Sequence, residues 1–195
     1  MKFFVATKNQ HKMSEFKKIF ENSGITVLCE NDVEIKIDDV EETGTTFEEN
    51  SLIKARAAVK ATGMPCIADD SGLCVDALGG KPGVYSARYA GAHGDNAANN
   101  KKLLEELKNV PQNKRTAQFV CVIACVFPDG REFTVRGETN GVIATAPQGE
   151  QGFGYDPLFV SEVGCFGTIL ADVKNSVSHR GRAIEKFKTE ITKYI

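Results

Sequence analysis

The sequence predicts an α/β or α+β fold built around a mixed, elongated sheet. Three observations predict it. Short apolar runs of strand type alternate with helical stripes along the chain. Residues 117–127 form a long, nearly continuous apolar run. The turn Pro128-Asp129-Gly130 then makes residues 131–138 its hairpin partner.

The elements follow in order. Residues 2–6 read as a short buried strand. Residues 11–22 read as a helix, with Met13, Phe16, Ile19 and Phe20 on one stripe and charges opposite. Ser23-Gly24 ends it. Residues 33–38 alternate apolar and charged side chains, which suits a half-exposed strand. Thr46 stands three residues before Glu49, the spacing of a capping box. The helix it opens should reach Thr62 and stop at Gly63, with Pro65 just beyond. Cys66-Ile67-Ala68 reads as a buried strand that delivers Asp69 and Asp70 at its C-terminal end. Residues 79–83 are loop, and Asp95 caps a helix that runs to about Lys108. Residues 149–157 are loop again, and 182–194 close the chain as a helix.

At 195 residues, with 42% hydrophobic and 26% charged, the chain has the size for one domain or two small lobes. Its net charge of -2 argues against a basic surface that grips long nucleic acid. A small phosphate ligand needs only a few local cations, so it stays open. The six cysteines form no C-x-x-C pair, and no His lies at zinc-finger spacing. Free thiols in a reducing, cytoplasmic setting are therefore expected. No secretion signal and no apolar run of membrane-spanning length is visible.

Five segments carry chemistry. Thr7-Lys8-Asn9-Gln10-His11-Lys12 sits between a strand and a helix. Backbone N–H groups at a helix start, with a hydroxyl, an amide and lysines, suit a polyphosphate. The glycines of a P-loop are absent, and Asn9 as a plain helix cap is the alternative. Asp69 and Asp70 can hold Mg²⁺ and orient or deprotonate a water. Successive strand residues point to opposite faces, so the two should not share one task. Glu41-Glu42-Thr43-Gly44 and the helix bearing Glu48, Asn50 and Lys54 add acids and a cation; Asn50 and Lys54 share a helix face. Gly152-Phe153-Gly154-Tyr155-Asp156-Pro157 places two aromatics and an acid in a glycine-rich loop. A ring there can stack on a base and the carboxylate can accept base N–H groups, or the rings can tuck into the core. Lys174 and Ser178-His179-Arg180-Gly181 offer donors to a base carbonyl or a phosphate.

Taken together, T-K-N-Q-H-K, E-E-T-G-T-T-F-E-E-N, A-D-D-S-G-L, G-G-K-P-G-V-Y-S-A-R, F-G-Y-D-P and S-H-R-G resemble, in this order, the inosine/xanthosine triphosphate pyrophosphatase (HAM1-like) family. The resemblance runs from about residue 3 to 185. It implies an α/β fold, one domain over residues 1–195, with an elongated mixed sheet, flanking helices and two lobes enclosing a central cleft. It also implies a homodimer that hydrolyses ITP, dITP, XTP and dXTP to the monophosphate and pyrophosphate with Mg²⁺. By position, Thr7, Lys8, Asn9, Gln10, His11 and Lys12 would surround the triphosphate, and Lys54 would reach the phosphates. Asp70 would be general base and metal ligand, with Glu42, in preference to Glu41, as second ligand. Ser71 would contact substrate. Phe153, Gly154, Tyr155 and Asp156 would hold base and sugar, and Lys174, His179 and Arg180 would complete the purine pocket. Two other readings compete: a pyrophosphatase of different base preference, and a catalytically silent nucleotide-binding module.

Overall fold

The computed structural model describes residues 1–21, 23–33, 35, 37 and 40–194. Its strands are β1 (Lys2–Val5), β2 (Thr26–Leu28), β3 (Cys66–Val75), β4 (Thr116–Val126), β5 (Glu132–Ile143), β6 (Phe159–Ser161) and β7 (Gly164–Cys165). The helices are α1 (Gln10–Phe20), α2 (Phe47–Thr62), α3 (Asn96–Leu107), α4 (Ala171–Val177) and α5 (His179–Ile191). The strands form one mixed sheet in the order β2-β1-β3-β4-β5-β6-β7. Strand β1 pairs in parallel with β2 and β3, whereas β6 pairs antiparallel with β5 and β7. The expected mixed α/β architecture is therefore present.

Local signals explain most helix and hairpin boundaries. Thr46 Oγ1 accepts the Glu49 N–H at 3.1 Å, and the Glu49 carboxylate accepts the Thr46 N–H at 3.2 Å, closing the capping box that starts α2. That helix stops at Thr62 with Gly63 in the left-handed region. Asp95 caps α3 through the Ala98 N–H at 2.9 Å. The β4–β5 turn closes with the Phe127 N–H donating to Arg131 at 2.9 Å.

Two compact units make up the chain. Unit 1 comprises Met1–Asp70, Cys121–Gly137 and Arg180–Ile195; unit 2 comprises Ser71–Val120 and Glu138–His179. In unit 1 the sheet is covered on both faces, and strand alternation decides which residue meets which helix. Phe3, Val5, Ile67, Cys121, Ile123 and Cys125 pack with Met13, Phe16 and Phe20 of α1 and with Ile184 and Phe187 of α5. Phe187 meets Phe3 and Phe20 edge to face, at 5.9 and 5.6 Å between ring centres. On the other face, Phe4 and Cys66 pack on Ala58 of α2, and Ala68 and Ala124 pack on Ala55 of the same helix. Unit 2 has its own core, in which Leu73, Val75, Phe119 and Ile143 meet Leu103 and Leu107 of α3 together with Phe159 and Phe166.

Several expectations need correction. Strand β3 does not end at the acid pair; it continues to Val75, because Leu73 and Val75 are fully buried in the core of unit 2. Asp69 and Asp70 therefore lie mid-strand. The strand expected at 33–38 falls partly on Glu34, Lys36 and Asp38, which lie outside the described residues; Val33, Ile35 and Ile37 are not in a strand. The closing helix starts at His179 rather than Arg182, and a separate helix, α4, precedes it. Strands β2, β6 and β7 have three residues or fewer, too short to show a period. All six cysteines are free thiols. Among the described residues no helix is long and apolar enough to cross a membrane.

Candidate active site

The sequence-predicted residues gather into two groups, one in each unit. The first is built around β3 of unit 1. Asp69 follows Ile67 onto the face covered by α1 and α5, and those helices supply its partners. Arg180, in the first turn of α5, donates to Asp69 Oδ2 at 2.9 Å, and Lys12 of α1 reaches the same oxygen at 3.0 Å. The Cys121 thiol lies 4.0 Å away. Arg180 also bonds Glu15 of α1. Burial pushes the Asp69 carboxyl up, but Lys12, Arg180 and Lys54 overcome this and hold it well below the usual carboxylate range.

Asp70 takes the opposite face with Ala68 and meets α2. Lys54 Nζ lies 3.1 Å from Asp70 Oδ1 and 2.6 Å from Glu42 Oε1. Asn50, fully buried, donates from its amide to Asp70 Oδ2 at 3.3 Å. Burial pushes the Asp70 carboxyl above its ordinary value; Lys54 and Lys12 pull it down, and Glu42 adds to the rise. Lys54 loses by burial but gains more from Asp70, Glu42 and Asp69, so its ammonium is held above the ordinary value. The neighbouring acids thus differ in kind. Asp69 is a locked anion in a cationic clamp, and Asp70 is a carboxylate whose proton affinity is raised.

The loop before α2 is drawn close to this group. The Gly44 N–H donates to Asn50 Oδ1 at 2.8 Å. A Cβ at Gly44 would stand 2.6 Å from both Asn50 Oδ1 and Glu49 Cβ, so only glycine allows the approach. Glu42 is the member of the acid pair that bonds Lys54.

The helix-start segment is arranged as a cap. Asn9 Oδ1 accepts the N–H groups of His11 and Lys12 at 3.0 and 3.2 Å, and its own N–H donates to Thr7 Oγ1 at 3.2 Å. Lys8, Asn9, Gln10 and His11 are exposed around the positive end of α1, and Thr7 is half-buried.

The second group lies in unit 2. Asp156 Oδ2 accepts the Phe153 N–H at 2.8 Å and the Lys174 ammonium at 2.7 Å. Both charged side chains are nearly buried, at 3% and 6% exposed, so this ion pair is a fixed part of the loop. Lys174 Nζ lies 5.0 Å from the centre of the half-buried Phe153 ring. Gly152 has φ 74°, and a Cβ there would overlap Asp156 Oδ2. Asn100 of α3 donates to the Gly154 carbonyl at 2.9 Å. The buried ring of His179 stacks on Phe119 with 4.6 Å between ring centres.

Two residues expected at the base have protein partners of their own. Tyr155 is 5% exposed in the core of unit 2, and its hydroxyl donates to the Ser86 carbonyl at 2.9 Å. Its ring packs in that core. Arg180 belongs with Asp69 and Glu15, because its guanidinium is drawn to their carboxylates and is 1% exposed. Ser71 is half-buried in β3. Sequence reasoning missed Glu15, Asn100, Phe119 and Ser86 as supporting residues. Only Glu15 had a local signal, three residues after Lys12 on one helix face.

Among the described residues no three His, Cys, Asp or Glu side chains come close enough to hold a metal on their own. The two carboxylates of Glu42 and Asp70 do converge on one cation, the Lys54 ammonium. Two carboxylates completed by substrate oxygens are the donor set that a hard divalent ion takes.

A profile of the Ham1 family matches residues 3–190. The chain is 51% identical over 189 residues to a dITP/XTP pyrophosphatase of Geobacter sulfurreducens, covering 96% of this chain and 94% of that one. It is similar in structure to the Ham1 protein of Staphylococcus aureus, with TM-score 0.86, 41% identity and full coverage of both chains. A HAM1 protein from Coxiella burnetii gives TM-score 0.88 at 38% identity, with 99% of each chain covered.

Proposed function

Because the chain belongs to the Ham1 family, we propose that it is a nucleoside triphosphate pyrophosphatase that hydrolyses deaminated purine nucleotides (ITP, dITP, XTP and dXTP) to the monophosphate and pyrophosphate. The observation that carries this reading is the Lys54 ammonium bridging Glu42 and Asp70 at 2.6 and 3.1 Å. It marks a point of strong negative potential beside a carboxylate of raised proton affinity. Mg²⁺ held by Glu42 and Asp70 and completed by phosphate oxygens would supply charge neutralisation at the reacting phosphate.

This chain's own residues carry the remaining steps. Asp70 takes a proton from the attacking water, and its raised proton affinity suits a general base better than an ordinary aspartate. The water oxygen bonds to the α-phosphorus and the bridging α–β oxygen leaves with pyrophosphate. Lys12 and Lys54 stabilise the charge that develops on the leaving group. The exposed N-terminal turn of α1, with Thr7, Lys8, Asn9, Gln10 and His11, offers donors to the phosphates. Asp69 stays ionised and fixes Lys12 and Arg180.

Base selection is assigned to unit 2. The Phe153 ring stacks on the purine, and Lys174 and His179 donate to the 6-carbonyl that hypoxanthine and xanthine carry where adenine has an amino group. A site built on such polar pairing discriminates by about 10⁴-fold when the partner group is missing. Asp156, Gly154 and Tyr155 shape and hold the loop. A homodimer in the cytosol is the assembly and compartment this reading carries.

A panel of purine and pyrimidine triphosphates, with and without Mg²⁺, tests the reading through release of monophosphate and pyrophosphate. Turnover of dITP and XTP well above ATP is expected. Binding of dITP without pyrophosphate release would identify a silent binding module, and faster turnover of a pyrimidine would overturn the base assignment.

A further inference from the structure

We infer that Asn50 is a positioning residue for the reaction, one that fixes the Glu42 loop and Asp70 in a single register. This rests on the proposed pyrophosphatase reading and deepens it. Asn50 is wholly buried, where an amide left unpaired costs several kcal/mol. Both ends of its side chain are used, and each partner admits one amide orientation. The Gly44 N–H can only donate, so it takes the amide oxygen at 2.8 Å; the Asp70 carboxylate accepts, so it takes the NH₂ at 3.3 Å.

One rigid side chain therefore links the two parts that must meet. Gly44 lies two residues from Glu42, and Asn50 lies one turn before Lys54 on α2. The loop is pinned a second time by Glu49, which accepts the Thr45 N–H at 2.6 Å. Asp70 is held at each oxygen, Oδ1 by Lys54 and Oδ2 by Asn50, so its carboxylate plane cannot turn. A neutral donor is needed at position 50 because Glu42 and Asp70 already share one cation. Aspartate could accept from Gly44 but could not donate to Asp70, and alanine could do neither.

The two substitutions therefore separate the two bonds. The full-length Asn50→Ala and Asn50→Asp variants are compared with wild type in three measurements: steady-state dITP hydrolysis per folded molecule, Mn²⁺ binding without nucleotide by electron paramagnetic resonance, and binding of an α,β-imido analogue of dITP. Asn50→Ala is expected to lower kcat by about 10²-fold with KM nearly unchanged, since the reacting groups are misplaced and not the substrate. Its Mn²⁺ dissociation constant should rise roughly 10–100-fold. Asn50→Asp should lose kcat similarly without weakened Mn²⁺ binding. Both should bind the imido analogue as wild type does. Folded variants with kcat and Mn²⁺ affinity within twofold of wild type would overturn the inference, since a purely structural amide lowers only the yield and melting temperature. If neither variant folds, Gly44→Ala decides: it pushes the loop off Asn50 and should reproduce the Mn²⁺ defect, and wild-type Mn²⁺ binding there overturns the inference. Wild-type protein that releases pyrophosphate from no triphosphate would instead overturn the function, and the Mn²⁺ measurement would still report on Asn50.

Discussion

Replacing Lys54 with Met keeps the length and packing of the side chain and removes the charge that Glu42 and Asp70 share. The ammonium lies 2.6 and 3.1 Å from the two carboxylates, and the three side chains are only 16%, 22% and 8% exposed. Breaking a buried ion pair from one side costs about 3–5 kcal/mol. Glu42 keeps some solvent, so the low end, about 3 kcal/mol, is expected. For a chain of this size that lowers Tm by roughly 6–12 °C. The loss depends on pH. Burial already raises the Asp70 carboxyl, and Lys54 is the strongest influence pulling it down, so the substitution raises it further. The folded variant then holds the Asp70 proton more tightly than the unfolded chain does. That contribution is fully present below the ordinary value of 3.8 and fades as pH rises through the folded value. The Tm deficit should therefore be small in acid and largest at neutral pH. Saturating Mg²⁺ should recover part of it, with about 2.7 kcal/mol available at a hundredfold excess over Kd. Thermal unfolding between pH 4.5 and 8, with and without Mg²⁺, measures this. A deficit below about 2 °C at neutral pH, or one indifferent to pH and Mg²⁺, would refute the shared-cation argument.

Asp70→Asn should keep the fold and lose about 10²–10⁴-fold in kcat, read from pyrophosphate release. In the metal-free protein the Asp70 carboxyl should titrate above 3.8, as followed by its NMR chemical shift, because burial raises it. Asp69 behaves oppositely: its carboxyl is lowered, so its stabilisation is present above 3.8 and fades as pH falls toward the lowered value. Asp69→Asn should cost about 3–5 kcal/mol at neutral pH and flatten the fall of Tm below pH 4, as followed by circular dichroism. Gly152→Ala forces a Cβ into Asp156 Oδ2 at a backbone φ of 74°. It should raise KM for dITP about tenfold while kcat falls less, a strain of about 1–3 kcal/mol confined to the base loop.

Local signals decided a large part of this molecule. The Thr46–Glu49 box, the Asp95 cap and the 128–130 turn were legible because each is completed within a few residues by hydrogen bonds of its own. Period-2 alternation likewise separated Asp69 from Asp70 before any partner was known. The six motifs in order pointed to the Ham1 family and so to the chemistry expected of it.

Tertiary structure decided which acid meets which partners. In unit 1 the α1 and α5 face hands Asp69 to Lys12 and Arg180, and the α2 face hands Asp70 to Lys54 and Asn50. It also drew Arg180 to Glu15, turned Tyr155 into the core, and carried β3 past the acid pair to Val75. None of these is written in a window of neighbours. A carboxylate's proton affinity depends on how deeply it is buried and on which charges lie within a few ångströms. Both are set by helices that reach it from more than ten residues away along the chain, or, for Arg180, more than a hundred.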